Sequence, residues 1–183
     1  MIEVIVQSGF ASIIAVALFA AAASDIKSLT IPNWIPVSIV ALFLIQAGTG
    51  LALNVTEISH GFVPSLIVAT ATLVMFTLLF ALGQMGGGDV KLIAATSLWA
   101  GPDLIFGFIV ITTLAGGALA LFALMRGTKS ANSPRPYAGL SSSVLAAGGD
   151  TPVARLASRP IPYGVAIAIG GFFVVAQIIR SNL

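Results

Sequence analysis

Cysteine is absent from this chain, and histidine occurs once. The first absence excludes disulfides, thiolate nucleophiles and cysteine-based zinc sites, and the second excludes a histidine-rich metal centre. Charge is scarce as well. Asp, Glu, Lys and Arg make up 8% of the 183 residues, where a soluble domain carries about 25%. Chemistry, if any, falls to a few carboxylates, hydroxyls or lysines, and neither metal nor cofactor is expected. What the chain does have is apolar surface: 58% of its residues are hydrophobic, and the mean hydropathy is +1.09. A backbone in lipid must satisfy its own hydrogen bonds, which helices do. The expected fold is therefore all-α, a polytopic helix bundle. A single membrane domain over residues 1–183 is expected, surrounded by lipid bilayer and without a nucleic-acid partner.

Residues 4–24 carry no charge and are long enough for a first span. The small residues at 21–24 would suit signal cleavage, but the segment before them carries Glu3 and no Lys or Arg, the wrong sign. Residues 25–33 interrupt the apolar pattern, with Asn33 able to cap the next helix. Further spans are expected over 34–53, 61–84, 104–125 and 161–179, with a polar link at 54–60. Residues 90–100 are apolar but cover only about half of a 30 Å bilayer core. Gly101-Pro102-Asp103 breaks the pattern after them, with Asp103 read as a turn or cap residue. Glu57 and His60 read as solvated link residues, and Gly116-Gly117 and Gly170-Gly171 as helix-packing sites.

Charge placement favours six crossings. In that arrangement Lys27, Lys91, Arg126, Lys129, Arg135, Arg155 and Arg159 share one side, and only Arg180 faces the other. Positive residues mark the cytoplasmic side. A basic cytoplasmic loop at about 126–159 follows, rich in Ser, Gly, Pro and Ala, with both termini on the opposite side. A short fourth helix is tolerable if it is buried among other helices.

The same topology puts Asp25 and Asp89 on one side, each where a span meets the boundary. Two carboxylates a few ångströms apart share a proton. One can then take a proton from water while the other protonates a carbonyl oxygen or leaving amine. Asp89 closes the run Gly86-Gly87-Gly88, which without Cβ atoms would let a substrate backbone lie close. Lys27 and Lys91 supply supporting charge beside the two aspartates. Asp25 falls where the first helix should end, a poor place for negative charge, and Asp89 where the fourth should begin, a good one. On that basis the pair's single charge is expected mostly on Asp89.

Gly86-Gly87-Gly88-Asp89 fits the G-x-G-D motif of intramembrane-type aspartyl peptidases. Asp25-Ile26-Lys27 followed by Ile31-Pro32-Asn33 resembles the first-aspartate region of the type IV prepilin peptidases. Gly88-Asp89-Val90-Lys91-Leu92 is similar to that family's second motif, and Pro162-Tyr163-Gly164 to the start of its last helix. In layout the resemblance covers nearly the whole chain. It implies that Asp25 and Asp89 are the catalytic pair and that the substrate is a prepilin. The cut would fall at the cytoplasmic edge of the prepilin's hydrophobic segment, after a short basic leader ending in Gly. It also implies a multi-pass protein of the inner membrane with its active site facing the cytoplasm. Longer members carry a cysteine-paired insert and N-methylate the product. This chain has neither an insert between the first two spans nor cysteine, so methyl transfer is not expected. Its small size resembles the compact peptidases of tight-adherence (Flp-type) pilus systems. Preflagellin peptidases share the layout and remain an alternative. A small proton-coupled transporter is a second alternative, and would place carboxylates deep in the spans or on both faces.

Overall fold

The computed structural model describes residues 2–52, 56–125 and 162–181. It contains five helices: α1 (Ile2–Ser28), α2 (Trp34–Ala52), α3 (Thr56–Ala81), α4 (Gly87–Met125) and α5 (Tyr163–Ser181). There is no strand among the described residues. The basic loop expected over 126–159 lies outside them. α1 runs four residues past its expected end at 24. α3 starts at Thr56, so Glu57 and His60 belong to a helix rather than to a link. Among the described residues, four stretches are long and apolar enough to cross a membrane: Gln7–Ser28, Gly61–Ala81, Gly87–Ala123 and Tyr163–Ser181. The chain is a helical membrane bundle.

α4 is broken at Gly101, where φ is 56° and ψ is −169°. Two neighbouring residues explain the position. Glycine enters the left-handed region without a Cβ clash, and a residue before proline is pushed out of the helical region. Pro102 then opens the second arm, where its missing N–H costs nothing. Asp103 lies exposed in that arm's first turn, at the end of a helix dipole that favours negative charge.

The two arms run in opposite directions. Asp89 shares a cavity with Asp25, while Trp99 packs against Phe10 (ring centroids 6.4 Å apart), so the first arm is antiparallel to α1. The second arm is antiparallel to α5, since Gly107 meets Phe173 and Gly116 meets Ala166. α5 is itself antiparallel to α1, with Gly164 against Asp25 and Gly171 against Leu18. α2 runs alongside the first arm, and α3 runs against it, from Ser65 beside Gly101 to Phe80 beside Gly87.

The short first arm is the most enclosed part of the bundle. Leu92, Ile93, Ala95, Thr96, Ser97, Leu98, Trp99 and Ala100 are all buried. The hydroxyls of Thr96 and Ser97 are satisfied within the helix by the carbonyls of Leu92 and Ile93. The Trp99 indole donates to the Ile39 carbonyl at 3.1 Å and stacks edge-on to Phe43, joining the arm to α2. Enclosure by protein is what a helix too short for the bilayer requires. Lipid tails are as apolar as leucine, so close contact between helices relies on small residues. A Cβ on Gly171 would lie 2.6 Å from Leu18, and one on Gly107 2.7 Å from Phe173. Gly170 abuts Thr112 and Phe108 of the second arm. The Gly170-Gly171 pair thus lets α5 wedge between α1 and α4. Gly117, by contrast, has no neighbour within 4 Å of a Cβ, so it is no packing site.

Gly101→Ala should destabilise the bundle by about 1–2 kcal/mol, the cost of a Cβ in the left-handed region. Ser65 Oγ, 3.1 Å from that Cβ, adds to the crowding. Reversible unfolding in detergent measures this, with Gly117→Ala as a control expected to lose nothing.

Candidate active site

Asp25 lies one turn before the end of α1 and is only 5% exposed. Its Oδ2 accepts the Gly164 N–H at 2.6 Å, while the Val165 N–H turns back to the Pro162 carbonyl at 3.2 Å. The Gly164 N–H is one of the first-turn amides of α5, which lack carbonyl partners within their own helix. A capping side chain usually satisfies one of them, but the residue before α5 is Pro162, which has no side-chain oxygen. Asp25 performs that role from another helix. This removes the difficulty expected for a carboxylate near a helix C-terminus, because its charge faces the N-terminus of a second helix.

Asp89 is the third residue of α4 rather than its cap. The Val90 N–H bonds the Gly86 carbonyl at 3.2 Å, which puts Asp89 in the first turn of the helix. Both aspartates therefore lie at a helix start, Asp25 at that of α5 and Asp89 at that of α4. The reason for expecting the negative charge mainly on Asp89, that only Asp89 faces such an end, does not hold.

The glycine run differs from expectation too. Gly87 and Gly88 are helical, and among the described glycines only Gly83 and Gly101 have positive φ. Their value here lies in space rather than in backbone freedom. A Cβ on Gly88 would lie 3.2 Å from Ile31 Cβ and 3.4 Å from the Ile31 carbonyl oxygen, and one on Gly87 would touch the Phe80 ring. α4 thus begins flush against the segment joining α1 to α2.

That segment is held firmly. Leu29 has φ 52°, the only positive value at a non-glycine residue among those described. It ends α1 with its N–H on the Asp25 carbonyl at 2.9 Å, where glycine is the usual occupant. Ser24 and Ser28 donate to the Thr30 carbonyl at 2.9 and 3.3 Å, and Ser28 Oγ bonds Thr30 Oγ1 at 2.9 Å. Farther on, Lys91 Nζ donates to Asn33 Oδ1 at 3.0 Å. Lys91 thus ties α4 to the link rather than pairing with Asp89, and the Asn33 side chain serves that tie rather than capping α2. Lys27 is exposed on the last turn of α1.

Asp25, Leu29, Thr30, Ile31, Gly86, Gly88 and Asp89 line one cavity of about 140 Å³. The structure brings together the two aspartates and two of the three run glycines, and turns Gly87 away toward Phe80. Two carboxyl groups in one small cavity can divide a proton transfer between them. Gly164 was not among the sequence candidates as a partner of Asp25. Its trace was present all the same: a helix opening on Pro-Tyr-Gly has no capping side chain, so the cap must come from elsewhere.

A helical membrane bundle with its polar centre in a paired-aspartate cavity at one end is the class these features define. The chain belongs to the type IV leader peptidase family, whose model matches residues 12–121. It is similar to the prepilin leader peptidase/N-methyltransferases of Burkholderia pseudomallei strains 1026b and K96243. Each is 36% identical over 75 residues, which is 41% of this chain and 23% of the relative. The matched stretch thus spans less than a quarter of the length of those curated relatives. No solved structure matches the chain.

Gly88→Val should destabilise the protein by about 1–3 kcal/mol through overpacking against Ile31. It should also raise hydrogen exchange across residues 29–33. Unchanged exchange there would show that the link does not depend on the α4 contact.

Proposed function

We propose that this protein is a membrane-embedded aspartic endopeptidase that removes the short basic leader from type IV prepilins. Asp25 and Asp89 are its catalytic pair. The observation that carries the reading is their convergence, from helices far apart in the chain, on one cavity. One carboxylate takes a proton from the attacking water. The other protonates the carbonyl oxygen of the scissile bond, and the departing amine receives its proton as the tetrahedral species collapses. Gly86 and Gly88 line the cavity without side chains, so an extended substrate backbone can lie beside Asp89. Lys27 and Lys91 add positive charge at the rim, Lys91 by bracing the link through Asn33.

The alternating helix directions support six passes, each α4 arm making one. The end of α4, the start of α5 and the α1–α2 link then lie at the same end as the aspartates. The sequence joining those two helix ends carries Arg126, Lys129, Arg135, Arg155 and Arg159, which favours a cytoplasmic site in the inner membrane. The link between α1 and α2 is short and cysteine-free. We read this as a compact, Flp-type peptidase that does not methylate its product. A proton-coupled transporter would need carboxylates along a path through the bundle, whereas Asp25 and Asp89 sit together at one end.

Asp25→Asn and Asp89→Asn should each reduce leader removal by at least about 100-fold while the protein stays inserted. Mass analysis of the pilin N-terminus after co-expression reads this out. Substantial processing by either variant would remove the pair from the mechanism. EDTA should leave cleavage unchanged, and inhibition reversed by zinc would count against a metal-free reaction. Reporter fusions within 126–159 should read as cytoplasmic and those at the termini as external.

A further inference from the structure

We infer that Gly164 is a positioning residue for the candidate catalytic Asp25, and that the first turn of α5 is a third component of the active site. The inference rests on the aspartic-peptidase reading and assigns a role to a residue outside the lining of the aspartate cavity. A Cβ on Gly164 would stand 2.8 Å from Asp25 Oδ2, 2.9 Å from its Cβ and 3.0 Å from its Cγ. All three atoms belong to a short, buried side chain that has nowhere to retreat. Only glycine lets α5 approach α1 closely enough for its own amide to reach the carboxylate. The 2.6 Å bond from the Gly164 N–H then holds Oδ2 in place. That leaves Asp25 one oxygen for chemistry, with its rotamer fixed before substrate arrives. Preorganisation of this kind is what a reacting carboxylate needs.

Gly171 supplies an internal comparison. It lies on the same helix, faces the same α1, and is as crowded, since its Cβ would sit 2.6 Å from Leu18 Cδ1. Its neighbour is an apolar side chain two turns from the site, so its role is packing alone.

The test measures kcat and KM for the purified full chain in detergent. The probe is a fusion carrying a short basic leader ending in glycine ahead of an apolar helix. Gly164→Ala should lower kcat by about 100-fold, the penalty of a misplacement near 1 Å, and leave KM little changed. Gly171→Ala should lower the melting temperature while kcat per folded molecule is kept. A second variant adds no atoms: glycolic acid at position 164 replaces the N–H by an ester oxygen. It should reduce kcat by about tenfold or more, since a hydrogen bond to a charged group is lost, even if Gly164→Ala does not fold. Wild-type kcat in the ester variant would overturn the inference. So would a loss in Gly164→Ala that appears in KM alone or is matched in kcat by Gly171→Ala. Asp25→Asn run beside them separates the two readings: an active Asp25→Asn overturns the aspartate pair itself.

Discussion

A carboxylate buried in an apolar bundle must find hydrogen-bond donors, and the free amides at a helix start must find acceptors. The contact between Asp25 and the first turn of α5 meets both demands at once. Neither α1 nor α5 could end as it does alone: one would bury an unpaired acid, the other would open on a proline with no cap. Their pairing sets the height of α5 against α1. The glycines at 164 and 171 follow from that height, because both occupy the face that α1 presses against. The second arm of α4 is placed in turn by α5 through Gly107, Gly116 and Gly170.

The polar centre is consequently built on helices rather than on loops. Asp89 is fixed by its own helix start and Asp25 by another helix's, so neither depends on a mobile segment for its position. Apart from Gly86, the non-helical wall is the link from α1 to α2. Three serine and threonine hydroxyls, the Lys91–Asn33 bond and the Ile31–Gly88 contact hold it. Leu29 stays in a backbone conformation that L-residues usually avoid because these neighbours over-determine it.

How much of this could be read from the chain depended on range. The break at Gly101-Pro102 was legible because proline and glycine act on adjacent backbone. The shortness of the arm before it was legible by counting, and its enclosure followed from the cost of short helices in lipid. The Gly86–Gly88 run was legible as a place of close approach. Its helical state was not, because glycine's weak helix propensity argued for a loop and packing against Ile31 and Phe80 overrode it. The end of α1 was missed for a related reason: leucine occupies a position where glycine is the usual signal. The partner of Asp25 was out of reach, since it lies 139 residues away and offers only backbone. The pairing of the two aspartates was within reach, because topology alone carries both to one end.

The turn at Gly101 has a consequence for the lipid. From Gly87 to that turn the first arm is only about 21 Å long, against a hydrocarbon layer of about 30 Å. With Gly87 at one edge of that layer, the break falls short of the other edge, with the exposed Pro102 and Asp103 beside it. A charged side chain at that depth draws headgroups and water inward, and the leaflet thins around it. A bilayer that holds the Gly87 end at one surface would therefore have to dip at the face opposite the aspartates. The lipid thickness of the host membrane then bears directly on how deeply the aspartate cavity at the other end is seated.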